Sequence, residues 1–333
     1  MSYHHYTPSR RLMSMAELNL AKTLNLRLEA HLRSLAVEFN EPLFVAQADR
    51  VHYCSTFWQG QRCPVCGKFH QMHTTGCRHR LCPICATREA RVTAMQALEV
   101  VQEARKREPD LKLSLLTLTI KNCQGPDLCG EVHKMLAAWS YMVNRAVLRN
   151  HVLGWARNIE IVPGIENDGT YHPHIHAILM HRSTGIETIA EFRDQWRAGM
   201  KLDYDPVCDL RPIEDEEGAV FEVSKYISKL TRVYDNSSRE HDHVKFLTQA
   251  IYSRRLRSYG GMWRIIRQQL GQLKIEQMDD DSISEYAEGI QDLDAKCPNC
   301  GSETVFTTLR WAGLHYATLP DQIRVLPFPE GFK

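Results

Sequence analysis

The chain has no apolar run approaching the roughly 20 residues that a membrane-spanning helix requires, so such a span is not expected. Its start, MSYHHYTPSRR, lacks the apolar stretch of a secretory signal. The expected location is therefore cytoplasmic, with no membrane partner. An excess of either charge is missing too: 41 basic and 40 acidic side chains leave +1. Bulk charge gives no argument for a nucleic-acid partner, and any basic surface has to be local. Internal repeats and low-complexity tracts are also absent, which excludes solenoids and propellers. What the chain does have is 11 cysteines and 16 histidines in 333 residues. In a reducing compartment that many cysteines argue for metal ligands over disulfides.

Residues 16–39 place Leu18, Leu24, Leu28, Leu32 and Leu35 near helical spacing with charges between, and predict an amphipathic helix. Residues 50–85 are short, polar and rich in Cys, His and Gly, as in a small metal-stapled lobe. A helix is expected over 86–108, ending before Pro109. LKLSLLTLTI (111–120) alternates as a strand, and 127–155 keeps helical spacing. NIEIVPGIENDGTYHPHIHAILM then gives two alternating runs around Asn167-Asp168-Gly169, a hairpin signal. Helix, strand and helix follow over 186–201, 206–213 and 217–233. An acidic stretch over 278–294 leads to CPNCG. This order predicts an α+β fold, a central antiparallel sheet with helices on one face. Three regions are expected: an N-terminal helical and metal-binding lobe (1–110), a catalytic domain (111–270), and an acidic linker with a C-terminal CxxC segment (271–333).

Alternate residues of a strand share a face, so YHPHIHAIL puts His172, His174 and His176 on one side. Two imidazoles about 7 Å apart along a strand can lean onto one ion. Pairing the hairpin about Asn167 brings Glu160 opposite His174. A carboxylate and two imidazoles form an open divalent site for Mg or Mn. His172 is a further candidate ligand, and Glu166, eight residues before His174, is a rival for the third place. In FEVSKYISKL (221–230), Glu222 and Tyr226 are one helical turn apart, as are Lys225 and Lys229. A tyrosine beside cations suits attack on a phosphodiester.

Eight cysteines lie at or near metal spacings. CPVCG (63–67) and CPNCG (297–301) are knuckles of the zinc-ribbon type, and CRHRLCPIC adds Cys77, Cys82 and Cys85. Local spacing joins Cys63 and Cys66 to Cys82 and Cys85. His70, His73 and His79 are spare ligands, and the isolated Cys123, Cys129 and Cys208 are read as packing residues.

Taken together, CRHRLCPIC, LTLTIKN, YHPHIHAIL, EVSKYISK and RRLRSYGG, in that order over about residues 77–265, resemble the HUH endonuclease superfamily. Within it they resemble the single-tyrosine replication initiators of rolling-circle plasmids. The resemblance implies a ferredoxin-like or palm sheet, with His174 and His176 on a divalent metal. It implies that Tyr226 becomes linked to a 5′ phosphate and that Glu222 serves the terminating cleavage. It also implies a different cysteine pairing, in which Cys54 joins Cys77, Cys82 and Cys85 while the two CPxCG knuckles, Cys63, Cys66, Cys297 and Cys300, meet. One or two structural zincs are expected on either pairing. The partners implied are single-stranded or hairpin origin DNA and host helicase and polymerase. Lys225, Lys229, Arg254 and Arg255 are candidate DNA contacts, with Arg257 near them. The alternatives are a transposase or relaxase of the same chemistry, a zinc-finger DNA-binding regulator without catalysis, and a metal hydrolase that uses water.

Overall fold

Two antiparallel sheets organise the protein in a computed structural model, which describes residues 14–74, 76–164, 169–182, 189–214, 238–276 and 296–318 and single positions between 218 and 234. The elements run α1 (Met15–Phe39), α2 (Pro42–Tyr53), β1 (Phe57–Arg62), β2 (Phe69–Thr74), α3 (Pro83–Arg107), β3 (Lys112–Thr119), β4 (Cys123–Gln124), α4 (Gly125–Val143) and α5 (Ala146–His151). They continue with β5 (Val152–Pro163), β6 (Thr170–His181), α6 (Ile189–Met200), β7 (Cys208–Pro212), α7 (Glu240–Ile251), β8 (Arg257–Gly260), α8 (Gly261–Glu276), β9 (Val305–Trp311) and β10 (Tyr316–Thr318). No described helix is long and apolar enough to cross a membrane.

The larger sheet has the order β7-β3-β6-β5-β8, with β4 added beside β6. Strand alternation sorts β6 cleanly. Tyr171, Ile175, Ala177 and Leu179 face one core, where α4, α6 and α7 supply Leu128, Trp139, Trp196 and Leu247. Ile178 and Met180 face a second core with Leu113, Leu115 and Ala156, covered by α3 and α8 through Ala97, Val101, Trp263 and Ile266. The mixed helix and antiparallel sheet is as expected, and the structure adds α3 and α8 on the second face. They sit over its Ile178 and Met180 end, and His172, His174 and His176 continue the same face beyond them.

The helix expected over 127–155 is shorter. It ends at Val143, and after the short α5 the chain turns into β5 at Val152. Trp155 and Ala156 pair with Leu179 and Ile178 on one side and with Gly260 and Tyr259 on the other. A short apolar run suits a buried strand as well as a buried helix, and here pairing on both edges decides. The β5–α8 crossing is close. Gly261 has φ 54°, and a Cβ there would lie 2.3 Å from the Leu153 carbonyl oxygen. Gly261→Ala is expected to cost about 1–3 kcal/mol through backbone strain and displacement of β5. An unchanged urea midpoint would contradict that crossing.

The smaller sheet, β10-β9-β1-β2, joins chain segments more than 230 residues apart. β1 and β9 pair in regular register from Phe57 and Arg310 to Arg62 and Val305. One face buries Trp58, Leu309 and Tyr316. There the Trp58 indole donates to the Tyr316 hydroxyl (3.1 Å), and the Tyr316 N–H donates to Asn19 on α1 (2.9 Å). Helix α1 starts at a capping box between Ser14 and Glu17. It stops at Asn40, which takes the left-handed conformation that ends many helices.

Candidate functional site

The β5–β6 register places Glu160 opposite His174 and Asn158 opposite His176. On the other edge of β6, Thr119 and Thr117 lie opposite the same two histidines. Glu160 is 2% exposed and His174 8%, with His176 partly exposed. Both imidazole Nε2 atoms converge on one carboxylate oxygen: Glu160 Oε2 lies 3.0 Å from His174 and 3.2 Å from His176. One ligand atom from each of the three residues lies within 4.8 Å of the others.

Hydrogen bonds on the far side of each ring explain why this arrangement asks for a cation. The His174 Nδ1–H donates to the backbone carbonyl of His172 (3.2 Å), which can only accept. In a neutral ring this leaves Nε2 as a bare lone pair facing a carboxylate oxygen, two acceptors in contact. His176 Nδ1 bonds the Thr117 hydroxyl at 3.1 Å, and when that hydroxyl accepts from Nδ1–H the Nε2 is likewise free. Such supports set the tautomer and aim of metal-binding histidines. Two nitrogens and one oxygen fit a borderline or hard divalent ion. His172 stands outside this group. Its ring bonds Asn122 Oδ1 at 3.0 Å, and burial, with His174 beside it, holds its pKa below the usual value. Glu166, Glu222, Lys225, Tyr226 and Lys229 lie outside the described residues.

Residues around this face that the sequence patterns left unnamed are Thr117, Asn122, Asn158, Thr93 and Glu89. The alternation of LTLTIKN carries the signal for Thr117, which points to the same side as its cross-strand partner His176. Arg257, opposite Asn158, reaches under α3, where it donates to Thr93 Oγ1 (2.7 Å) and pairs with Glu89 (3.4 Å). Arg254 donates instead to the carbonyls of Gln249 (2.7 Å) and Ala250 (3.1 Å) and so closes the end of α7. Arg255 is exposed.

Eight cysteines form two four-sulfur groups. Cys54 follows α2, Cys77 comes from the loop after β2, and Cys82 and Cys85 sit at the start of α3. Cys54 lies 3.7 Å from both Cys82 and Cys85, and Cys77 3.7 Å from Cys85. Four sulfurs at ~2.3 Å from a tetrahedral zinc stand ~3.8 Å apart, so this spacing suits that ion. The second group joins Cys63 to Cys300 (3.4 Å) and Cys66 to Cys297 (3.6 Å). Its two knuckles repeat one conformation. Gly67 and Gly301 have φ 69° and 71°, and each donates its N–H back to the first cysteine's carbonyl, at 2.9 and 2.8 Å.

The local pairing of Cys63 and Cys66 with Cys82 and Cys85 is therefore corrected. The antiparallel β1–β2 hairpin carries the 63–66 knuckle to its own tip, where β9 brings Cys297 and Cys300 alongside. His79 is not among the grouped ligands, and its Nδ1 accepts from the Leu81 N–H (3.2 Å). Cys123 and Cys208 lie outside the groups and against the core, and burial pushes both thiols up to about 11. Cys129, also outside the groups, accepts from the Arg254 guanidinium (3.0 Å).

The fold and these clusters define an α+β protein with, among the described residues, one nitrogen–oxygen group on a sheet face and two all-sulfur groups. A family model described as "Replication protein" matches residues 68–300. Relatives named "Protein rep" include one from Bacillus amyloliquefaciens, 31% identical over 75% of this chain and 83% of its own length. Another, from a Bacillus species, is 30% identical over 72% of this chain and 86% of its own. No solved structure matches the chain. The chain belongs to this replication protein family, that of the rolling-circle plasmid replication initiators.

Proposed function

We propose that the protein nicks and rejoins one strand of plasmid origin DNA through a phosphotyrosine intermediate. The observation that carries this reading is the convergence of His174, His176 and Glu160 on one point of a sheet face, in a chain of the initiator family. These three residues would hold Mg or Mn, which when bound supplies positive charge against the scissile phosphate. Tyr226 is the nucleophile. Its Oη forms a bond to phosphorus as the P–O3′ bond breaks, and the phenol proton ends on the departing 3′ oxygen. The new 3′-hydroxyl primes a host polymerase behind a host helicase, and the bond conserved on Tyr226 lets the strand be rejoined without ATP. Glu222 activates the water that ends the cycle, and Lys225 and Lys229 hold phosphates beside the tyrosine.

Two placements support this. Val220 and Val223, just before Tyr226 in the chain, pack onto the sheet face that carries the histidines. Arg255, exposed and two residues before β8, is a candidate contact for an adjacent phosphate. A single strand is the substrate, because a paired backbone cannot easily enter such a site. In an HUH-type transposase or relaxase the same residues would perform the same chemistry, and the match to plasmid initiators favours replication.

The test is incubation with single-stranded origin oligonucleotides and Mn²⁺. A denaturant-resistant complex mapping to Tyr226, and absent with EDTA, is expected. Nicked product with no attached protein from a Glu222→Ala variant, which cannot release itself by hydrolysis, would defeat the reading. A milder change probes the ring supports. Thr117→Val keeps the shape but removes the bond to His176, and is expected to raise the Mn²⁺ needed for half-maximal nicking about 10–100-fold. An unchanged metal titration would show that Thr117 does not orient the ligand.

A further inference from the structure

The small sheet built from β1, β2, β9 and β10 has no part in the chemistry above, and its charge is unlike that of the rest of the chain. From Arg50 to Arg88 there are six basic side chains and no Asp or Glu, and residues 304–318 add Arg310, again without an acid. The whole chain nearly balances its charges, so the remainder is net acidic. One of these cations is half-buried, Arg80, which donates to the Ile251 carbonyl (2.5 Å), while the exposed Arg88 donates to that of Thr74 (3.3 Å). Arg62, Lys68 and Arg310 are exposed. Strand register puts Arg310 with Phe57, Gln59, Thr308 and Phe306 on the face turned away from buried Trp58 and Leu309. Arg62 and Lys68 flank the knuckle at the tip. A zinc on four thiolates adds negative charge there, which Lys68 and Lys296 offset from either side of the second cluster.

We infer that this ribbon is a docking surface for duplex DNA, gripping the phosphates beside the nick site while the larger sheet handles the single strand. The inference rests on the proposed nicking function and deepens it. A partner with one negative charge per ~1.7 Å of axis complements an acid-free surface. The Arg310 guanidinium lies over the Phe57 ring, 5.8 Å from its centroid, and Phe306 on the same face is 44% exposed, so the choice of a duplex rests on the charge of the ribbon. Gln59, half-buried on the same face, carries a donor and an acceptor suited to phosphate or groove edges.

The experiment measures binding of the full chain to a mixed-sequence 30-base-pair duplex and to the matching single strand across a salt series. Arg62→Ala, Lys68→Ala and Arg310→Ala are combined, with two zincs per chain and an unchanged melt as the fold control. Each phosphate contact contributes ~0.9 to the slope of log affinity against log salt, so the triple variant is expected to lose roughly 2–3 of it. Duplex affinity near physiological salt should fall on the order of tenfold to a hundredfold. Arg310→Lys should restore part of the lost slope when placed in the variant in place of Arg310→Ala. Adduct formation on a short single-stranded oligonucleotide should stay at the wild-type level. An unchanged duplex slope overturns the proposal, as does a loss confined to the single strand. Failure of the wild type to form an adduct would instead remove the nicking function, and the duplex measurement would still report on the ribbon.

Discussion

Tyr226→Phe is expected to abolish the covalent protein–DNA complex and to lower nicking by on the order of 10⁴-fold or more, the scale on which loss of a nucleophile acts. The change removes one oxygen and keeps the ring, so the capacity to bind single-stranded DNA should survive. Affinity for an uncut oligonucleotide should stay within about twofold. This separates the proposed transesterification from metal-activated hydrolysis. If the His174, His176 and Glu160 centre activated water directly, the phenylalanine variant would still nick at close to the wild-type rate and leave no adduct in either protein. Glu222→Ala should behave differently again. The first cleavage and the adduct should form, but without a group to activate water the enzyme should stay attached, and adduct should accumulate over time. Residual nicking by the Phe variant at a tenth of the wild-type rate would be enough to reject Tyr226 as the nucleophile.

The histidine face was legible in the sequence because two period-2 patterns and one turn determine it. Asn167-Asp168-Gly169 centres the hairpin, and counting outward puts Glu160 against His174, the register found. Alternation then separates His174 and His176 from Ile175 without further information. The cysteine pairing was not legible from spacing. Cys63 and Cys66 stand equally well spaced for Cys82 and Cys85, and loop-closure entropy rises so slowly with length that closing onto Cys297 is only mildly disfavoured. What decides is the β1–β9 pairing, a contact between segments that no local pattern links. The start of β5 was hidden for a related reason: Val152, Leu153 and Trp155 suit a buried helix equally. Arg254 shows the limit of charge patterns. In RRLRSYGG it reads as one of three phosphate contacts, yet it closes α7, a role set by where that helix ends.

Cys82→Ser should be the most destabilising of the single changes considered. Cys82 is fully buried and Cys54 1% exposed, in a group that fastens α2 and the loop after β2 to the start of α3. Burial pushes the Cys82 thiol up, and Cys54 beside it pushes Cys77 up, so four sulfurs this close cannot all ionise without a cation. Lys22 adds to the same electrostatics. It is 1% exposed, and its ammonium donates to the carbonyls of Cys54 (2.6 Å) and His52 (2.8 Å). A buried cation at that spot is costly alone and is offset by thiolates held on a metal. Structural zinc contributes ~10–16 kcal/mol in small sites, against a net stability of about 5–15 kcal/mol for a domain. Losing one ligand therefore threatens the whole lobe. The consequence should reach the chemistry, because buried Tyr234, eight residues after Tyr226, donates its hydroxyl to the Leu81 carbonyl (2.7 Å) inside the Cys77–Cys85 loop. Loosening that loop releases one anchor of the segment that carries the proposed nucleophile, while Val220 and Val223 pack on the other side of it in the chain. Cys82→Ser should thus bind about one zinc per chain where the wild type binds two. Its melting temperature should fall by more than about 10 °C, and adduct formation should drop even below that melt. Cys123→Ser, outside both groups, should keep two zincs and full activity. A Cys82→Ser protein with two zincs and a wild-type melt would show that these sulfurs hold no structural metal.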